Sequence, residues 1–304
     1  MYMCGNCIIH FGRIYYLFEG VYFVKVSVII PTLNAAGEIE KLMDILERQT
    51  VKPDEIVIVD SQSDDGTVAI CRERNARVIE ILRSEFDHGK TRDLALRSCE
   101  SEFVLFLTQD AVPKDEHYIE NLLKPFDDES VAICSGRQLP KEDAGAAERL
   151  IREFNYPEIS NVRSKEDLEH LGIKTFFFSD ACSAYRKDVY LELGGYDYPI
   201  LTDEDLFFAA KAVNAGYKVA YAADAAVFHS HNLSLQEQYE RNRIQGIEFK
   251  RHAELLQGVS LESEGMKMVK YVTKGLLKEG RIPAVIGFFF DCAARYLGSR
   301  AGRA

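Results

Sequence analysis

From Lys25 onward the chain alternates short β-rich runs with amphipathic helical stretches, and that alternation restricts its fold more than any other feature. "KVSVII" (25–30) stops at Pro31, and "EIEKLMDILERQ" (38–49) sets apolar residues at 39, 42, 43, 45 and 46, one face of a helix. "EIVIVD" (55–60), "RVIEIL" (77–82) and "EFVLFL" (102–107) read as strands; "GTVAICRERN" (66–75) and "KTRDLALRSC" (90–99) read as the helices between them. Apolar strands separated by helices predict βαβ units and a mainly parallel sheet covered on both faces. The hydrophilic stretch 137–170 reads as helices and loops. "DEDLFFAAKAVNAGYKVAY" (203–221) predicts a helix closed by Gly216 and leading to a strand, and after His231 the pattern stays helical to the tail.

Parallel sheets gather ligands beyond the carboxyl ends of their strands, where loops and helix N-termini meet. Three strands end there in polar clusters: "PTLN" after the first, "DSQSDDGT" (60–67) after the second, "TQDA" after the fourth. Asp65, Gly66 and Thr67 suit a turn and helix cap. Asp60 and Ser61 are better placed to hydrogen-bond a base or ribose edge. "EFDHGKTRDLA" (85–95) combines His88, Gly89, Lys90 and Arg92 at a helix start, either a phosphate or sugar contact or a solvated face. Asp110 can stand beside a bound diphosphate only if a divalent cation lies between them, which makes it a candidate ligand of Mg²⁺ or Mn²⁺. In "HSH" (229–231), His229 is a candidate further ligand and His231 the lesser one. "TDEDLFFAA" (202–210) places Asp203, Glu204 and Asp205 before a helix, where one acid can serve as general base for a hydroxyl nucleophile.

Composition excludes several classes. A formal charge of −11 argues against a nucleic-acid surface. GxGxxG and GxxxxGK[ST] are missing, so the common dinucleotide and P-loop readings fail. Seven scattered cysteines, of which Cys4 and Cys7 form a lone CxxC, argue against a structural zinc site and suit a reducing compartment. The longest apolar run, "IPAVIGFFF" (282–290), is too short to span a bilayer. The aromatic-rich residues 1–24 are expected to be an extension ahead of the fold, with a membrane-touching segment as the alternative.

Taken together, "VSVIIPTLN", "IVIVDSQSDDGT", "FLTQDA", "LGGYD", "DEDLFFAAKAVNAGYKV" and "VFH" resemble family 2 glycosyltransferases of the GT-A fold, in the family's order and roughly its spacing. "EFDHGKTRDLA", "FLTQDAVP", "FFSDACSAYRKDVY", "VFHSHNLSLQEQ" and the tail "IPAVIGFFFDCAARYLGSRAGR" (282–303) resemble the bacterial rhamnosyltransferase branch. The resemblance implies a GT-A domain over 25–235 and a C-terminal helical region over 236–304. It implies an inverting enzyme that moves L-rhamnose from dTDP-L-rhamnose to a saccharide acceptor in O-antigen or capsule synthesis; another nucleotide sugar is the alternative donor. The acceptor is expected to be lipid-linked, and the protein cytoplasmic, with peripheral contact at the inner membrane.

Carried over by motif, Pro31, Thr32, Asn34, Asp60, Ser61, His88, Arg92, Gln109 and Asp110 would border the nucleotide sugar. Asp110 and His229 would bind the metal, Asp180 and Asp203 would face the acceptor or sugar, and Asp205, with Glu204, would supply the base. Two departures from the pattern stand out. Gln109-Asp110-Ala111 offers one acid where many relatives have two, and Lys90 and Asp93 replace the commoner residues of an "HGGTRN" stretch. A nucleotide-sugar sensor without catalysis would lack use for both acidic sites, and a nucleotidyltransferase would show a Gly-rich entry loop after "VSVIIP".

Overall fold

The computed structural model describes residues 24–257, 259 and 262–304, with the backbone of three short N-terminal strands, Met3–Cys4, Cys7–His10 and Arg13–Tyr16, paired antiparallel. The expectations for 1–24, the Cys4–Cys7 pair included, fall largely outside the described residues.

The central sheet has nine strands. They are β1 (Val26–Thr32), β2 (Glu55–Asp60), β3 (Arg77–Glu80), β4 (Phe103–Leu107), β5 (Val112–Pro113), β6 (Val131–Leu139), β7 (Asn161–Arg163), β8 (Cys182–Arg186) and β9 (Lys218–Phe228). Their order is β7-β9-β6-β8-β4-β1-β2-β3, with β5 paired to β9. The half built from β3, β2, β1 and β4 is parallel throughout. Its connections run through α1 (Ala36–Glu47), α2 (Thr67–Glu73) and α3 (His88–Ser98). β8 then lies antiparallel between β4 and β6, while β6 and β9 pair parallel.

Val28 and Ile30 of β1 join Ile39, Leu42 and Leu46 of α1 on one side of the sheet; Ile29, Val57, Val59 and Phe106 pack with Leu96 and Phe208 on the other. This two-sided burial is why the early strands read as unbroken apolar runs. The second half departs from the sequence expectation. β6 carries the strand through Leu139, into the stretch read as helices and loops, because Ser135 and Gln138 are buried polar residues of a strand. Polar side chains inside a sheet erase the apolar signal that marks a strand.

Beyond β9 come α8 (Leu235–Arg251), α9 (Glu262–Lys278) and α10 (Ile282–Arg303). Gly246 faces Gly302, and a Cβ on Gly302 or Gly298 would run into the carbonyls of Arg243 or Tyr239. Glycine therefore lets α10 lie backbone to backbone along α8. Val272, Leu276, Val285 and Phe288 seal this hairpin onto Leu150 and Ile151 of the helix Ala146–Asn155. Among the described residues, no helix is long and apolar enough to cross a membrane.

Candidate active site

The loops after β1 and β2 are stitched together. Thr32 Oγ1 donates to Asp60 Oδ1 (2.9 Å), and Ser63 donates its N–H to Asp60 Oδ2 (2.8 Å) and its hydroxyl to Oδ1 (2.5 Å). Asn34 donates its N–H to Ser63 Oγ (2.8 Å) and accepts from the Asp64 N–H (3.0 Å). Gln109 closes a two-way amide pair with the backbone of Leu33, accepting at 2.8 Å and donating at 3.2 Å. Asn34 and Gln62 both adopt positive φ, 52° and 58°, where non-glycine residues are uncommon. Pro31, Thr32, Asn34, Asp60, Ser61 and Gln109 thus share one edge of the sheet. Asp65 does the work of a turn and cap, accepting from Thr67 and from the Ala36 N–H (2.9 Å).

Past β4, Asp110 meets three groups from distant segments. His229 Nε2 lies 3.4 Å from Oδ1, His231 Nε2 3.8 Å from Oδ2, and the Lys141 ammonium 3.0 Å from Oδ2. The two imidazole Nε2 atoms are 3.0 Å apart. Burial opposes ionisation of Asp110, but hydrogen bonds and charge from His229 and Lys141 outweigh it and hold the carboxyl well below the usual range. Burial and then His229 push His231 down to about 4, so at neutral pH its ring is neutral, the form that ligates metals. One carboxylate and two imidazoles with ligand atoms within 4.8 Å of one another fit a divalent cation.

The buried Gln138 orients this cluster. Its Oε1 accepts from Arg152 Nη1 and pairs with His229 Nδ1 at 2.9 Å, and its Nε2 donates to Ser179 Oγ (2.9 Å). A guanidinium only donates, so the amide oxygen faces Arg152 and His229 Nδ1 must be the donor. That turns His229 Nε2 toward Asp110. Glu148 holds Arg152 in turn, at 2.7 Å.

The second acidic group is built around α7 (Glu204–Asn214). Asp203 precedes it at φ 61°, accepting from Gln245 Nε2 (3.0 Å) on one oxygen while the other is buried without a partner. Burial pushes Asp203 up to about 6. The Arg92 guanidinium, from α3, lies 3.1 Å from Glu204 and 3.5 Å from Asp180. Asp205 accepts from the N–H groups of Asp180 (2.9 Å) and Leu206 (2.7 Å). Burial, then the charges of Glu204, Asp180 and Asp203, raise its carboxyl far above the ordinary range.

Several expected site residues are committed to protein partners. Asp180 accepts from the hydroxyls of Ser183 (2.7 Å), Tyr185 (2.8 Å) and Tyr196 (2.6 Å), so packing occupies its oxygens. Arg92 is buried among acids and is their counter-ion. Gly89 is glycine for packing: a Cβ there would sit 2.9 Å from Ile200 and 3.0 Å from the Asp197 carbonyl. Asp93 accepts from Tyr190 and pairs with Arg97. His88 keeps a half-open ring 3.9 Å from Glu204.

A chain of contacts nevertheless joins the two acids: Asp110 lies 3.4 Å from His229, His229 hydrogen-bonds Gln138, Gln138 hydrogen-bonds Ser179, and the N–H of the next residue along the chain, Asp180, donates to Asp205. The sequence reading missed Gln138, Lys141, Arg152 and Ser179. The first two and Arg152 lie in the stretch taken for surface helices and loops.

The family 2 glycosyl transferase model matches residues 27–194. The chain belongs to glycosyltransferase family 2. It is 38% identical to the O-antigen chain rhamnosyltransferase RfbN of Salmonella typhimurium, over 92% of this chain and 90% of that protein. With the O-antigen chain rhamnosyltransferase WbaN of Salmonella anatum it shares 37% identity over 91% and 89%. Among solved structures, the mannosyltransferase PcManGT from Pyrobaculum calidifontis, in complex with GDP-Man and Mn²⁺, superposes with a TM-score of 0.62 at 17% identity, covering 91% of this chain and 86% of that one. Residues 1–349 of TarS from S. aureus give 0.56 at 19%, over 92% and 91%. These likenesses establish the GT-A fold for this glycosyltransferase.

Proposed function

We propose that this glycosyltransferase moves L-rhamnose from dTDP-L-rhamnose, with inversion, to a saccharide acceptor in the synthesis of a cell-surface polysaccharide such as O-antigen. The observation that carries the chemistry is the chain of contacts from Asp110 to Asp205, which links an acid paired with an ammonium and His229 to one crowded by acids. The sugar and acceptor are drawn from the two Salmonella relatives.

In this reading Asp205 takes the proton of the acceptor hydroxyl as its oxygen bonds to the anomeric carbon. The bond from that carbon to the diphosphate breaks on the opposite face, and its electron pair leaves with the diphosphate. A raised carboxyl suits a base working near neutral pH. The Arg92 guanidinium pairs with Glu204 and Asp180, and its charge reaches Asp205 less strongly than theirs, so the acids around Asp205 outweigh it. Thr32, Asn34, Asp60 and Ser61 border the nucleotide. Asp110, His229 and His231 would hold a divalent cation, which when bound stabilises the departing negative charge; the two imidazoles favour Mn²⁺ over Mg²⁺.

The test is a donor panel of dTDP-rhamnose, UDP-galactose, UDP-N-acetylglucosamine and GDP-mannose with Mn²⁺, scored by binding and by release of nucleoside diphosphate. dTDP-rhamnose is expected to lead. Preference for another donor would keep the fold and overturn the sugar.

The same reading places the acceptor at a lipid surface, the cytoplasmic face of the inner membrane. Ile282, Ile286, Phe289, Phe290, Tyr296 and Leu297 are all more than half exposed on α10. Their spacing puts them on one face, bordered by the buried Val285 and Phe288. Lys267, Lys270, Lys274, Lys278, Arg281, Arg300 and Arg303 are exposed around it. Apolar side chains ringed by cations suit an anionic bilayer. The protein is expected to float with anionic liposomes and F289E/F290E to stay behind. A concentration-dependent dimer lost in that variant, without flotation, would assign the face to a second copy instead.

A further inference from the structure

Lys141 stands at the site without a task in the chemistry above. Its position is built. The Lys141 N–H donates to Ser230 Oγ (3.0 Å), while Asn232 accepts from the Gly145 N–H (3.0 Å) and donates to the Asp143 carbonyl (2.9 Å). Residues 141–145 are thereby clasped to the segment that carries His229 and His231. The clasp sets the ammonium 3.0 Å from Asp110 Oδ2, the oxygen that His231 also faces. The Lys141 side chain keeps 29% of its surface exposed, so a ligand can reach it.

We propose that Lys141 is a resident second cation for the departing diphosphate, sharing Asp110 with the divalent ion. This rests on the reading that the site takes a nucleotide sugar. The argument begins with charge. "QDA" supplies a single acid, and imidazole ligands add no negative charge, so the site attracts a divalent ion less than a pair of acids would. An ammonium on the same carboxylate oxygen weakens that attraction further, by repulsion and by occupying a lone pair. A site evolved only to hold metal would not keep it.

A diphosphate changes the balance. An ammonium carries three hydrogens, and its bond to Asp110 leaves two for phosphate oxygens. Lysine is a compact point charge well suited to phosphate. As the anomeric C–O bond breaks and its electron pair moves to the diphosphate oxygen, Lys141 donates a hydrogen bond there and keeps its proton. The acid that anchors the metal therefore also aims a cation of the chain's own, and nucleotide binding should survive without metal.

The experiment reads two shifts of opposite sign in K141M. Mn²⁺ titrated into the nucleotide-free protein, followed by electron paramagnetic resonance, should bind about tenfold tighter than to wild type. dTDP, UDP and GDP titrated in EDTA should bind about tenfold more weakly, with K141R restoring wild-type affinity. Unchanged affinities, or weaker Mn²⁺ binding in K141M, would overturn the proposal, the latter making Lys141 a prop for Asp110. Failure of wild type to bind any of the three nucleotides in EDTA would overturn it as well. Preference for UDP or GDP over dTDP, with both K141M shifts intact, would overturn the donor assignment and support the role of Lys141.

Discussion

Asp110 and Asp205 are the same residue type joined by one chain of contacts, and their surroundings give them opposite characters. Around Asp110 stand an ammonium and two imidazoles; around Asp205 stand Asp180, Asp203 and Glu204. Both lose hydration. The cationic neighbours of Asp110 more than compensate, and it stays ionised across the working range. Asp205 has too little compensation, because the Arg92 guanidinium pairs with Glu204 and Asp180, and the Asp180 N–H offsets only part of the burial and like charge. Pairs of acids driven apart in this way mark a division of labour, one holding charge and the other moving a proton. The structure achieves it by choice of neighbours alone.

Removing the carboxylate of Asp205 should break the comparison most visibly. The Asp180 and Leu206 N–H groups bond different oxygens of Asp205, so D205N keeps an acceptor for one of them and cannot take a proton. Transfer is expected to fall by about 10²–10⁴-fold, the usual worth of general base catalysis, with nucleotide affinity near wild type. Stability should move the other way. A carboxyl raised on folding stabilises the fold fully below its unfolded-state pKa, and that contribution is lost as pH rises through the folded value. At pH 8 the ionised acid is therefore a burden, and D205N should melt higher than wild type, by more than it does at pH 5. The acidic limb of wild-type kcat/KM should also lie above the ordinary carboxylate range. Wild-type turnover in D205N, or a limb at an ordinary carboxylate value, would take the base role from Asp205.

The two acids were not equally legible in the sequence. The parallel half of the sheet announced itself, since Ile29, Val57, Val59 and Phe106 are buried on a sheet covered by helices on both sides. Strand ends then singled out Asp60 and Asp110 by position, and a helix start the acids of α7. His229 was named beside Asp110, but Lys141, which pairs with that acid, and Gln138, which orients His229, were hidden. Gln138 and Lys141 sit in a polar stretch where a strand and its following loop look like surface, and only pairing of β6 with β8 and β9 turns Gln138 inward. Asp180, expected by motif to face the acceptor or sugar, has its oxygens taken up by hydroxyls within the fold. Its neighbours in sequence suggest a site, but the hydroxyls that occupy it come from tyrosines brought together by an aromatic core around Phe208. Periodicity reports which face a residue occupies; it does not report which distant group satisfies it.

The finest test of the comparison is Gln138, which touches neither acid. Metal-ligating histidines owe ring orientation to the partner of the other nitrogen, and losing that partner typically lowers metal affinity about 10–100-fold. In Q138L the leucine fills similar space but gives His229 Nδ1 no acceptor, so the ring is free to turn Nε2 away from Asp110. Q138E restores an acceptor for both His229 and Arg152, and the Ser179 hydroxyl, a donor as well as an acceptor, can turn to donate to its second oxygen. Mn²⁺ affinity measured by calorimetry should drop in Q138L and return in Q138E. Transfer at saturating Mn²⁺ should fall far less than in D205N, because Asp205 keeps its neighbours. If Q138L binds Mn²⁺ as wild type does while H229A does not, His229 is held by its own packing and Gln138 has no positioning role. If Q138E fails along with Q138L, an acceptor for His229 is not enough, and the path between the acids works as a scaffold in which no single link sets the metal site.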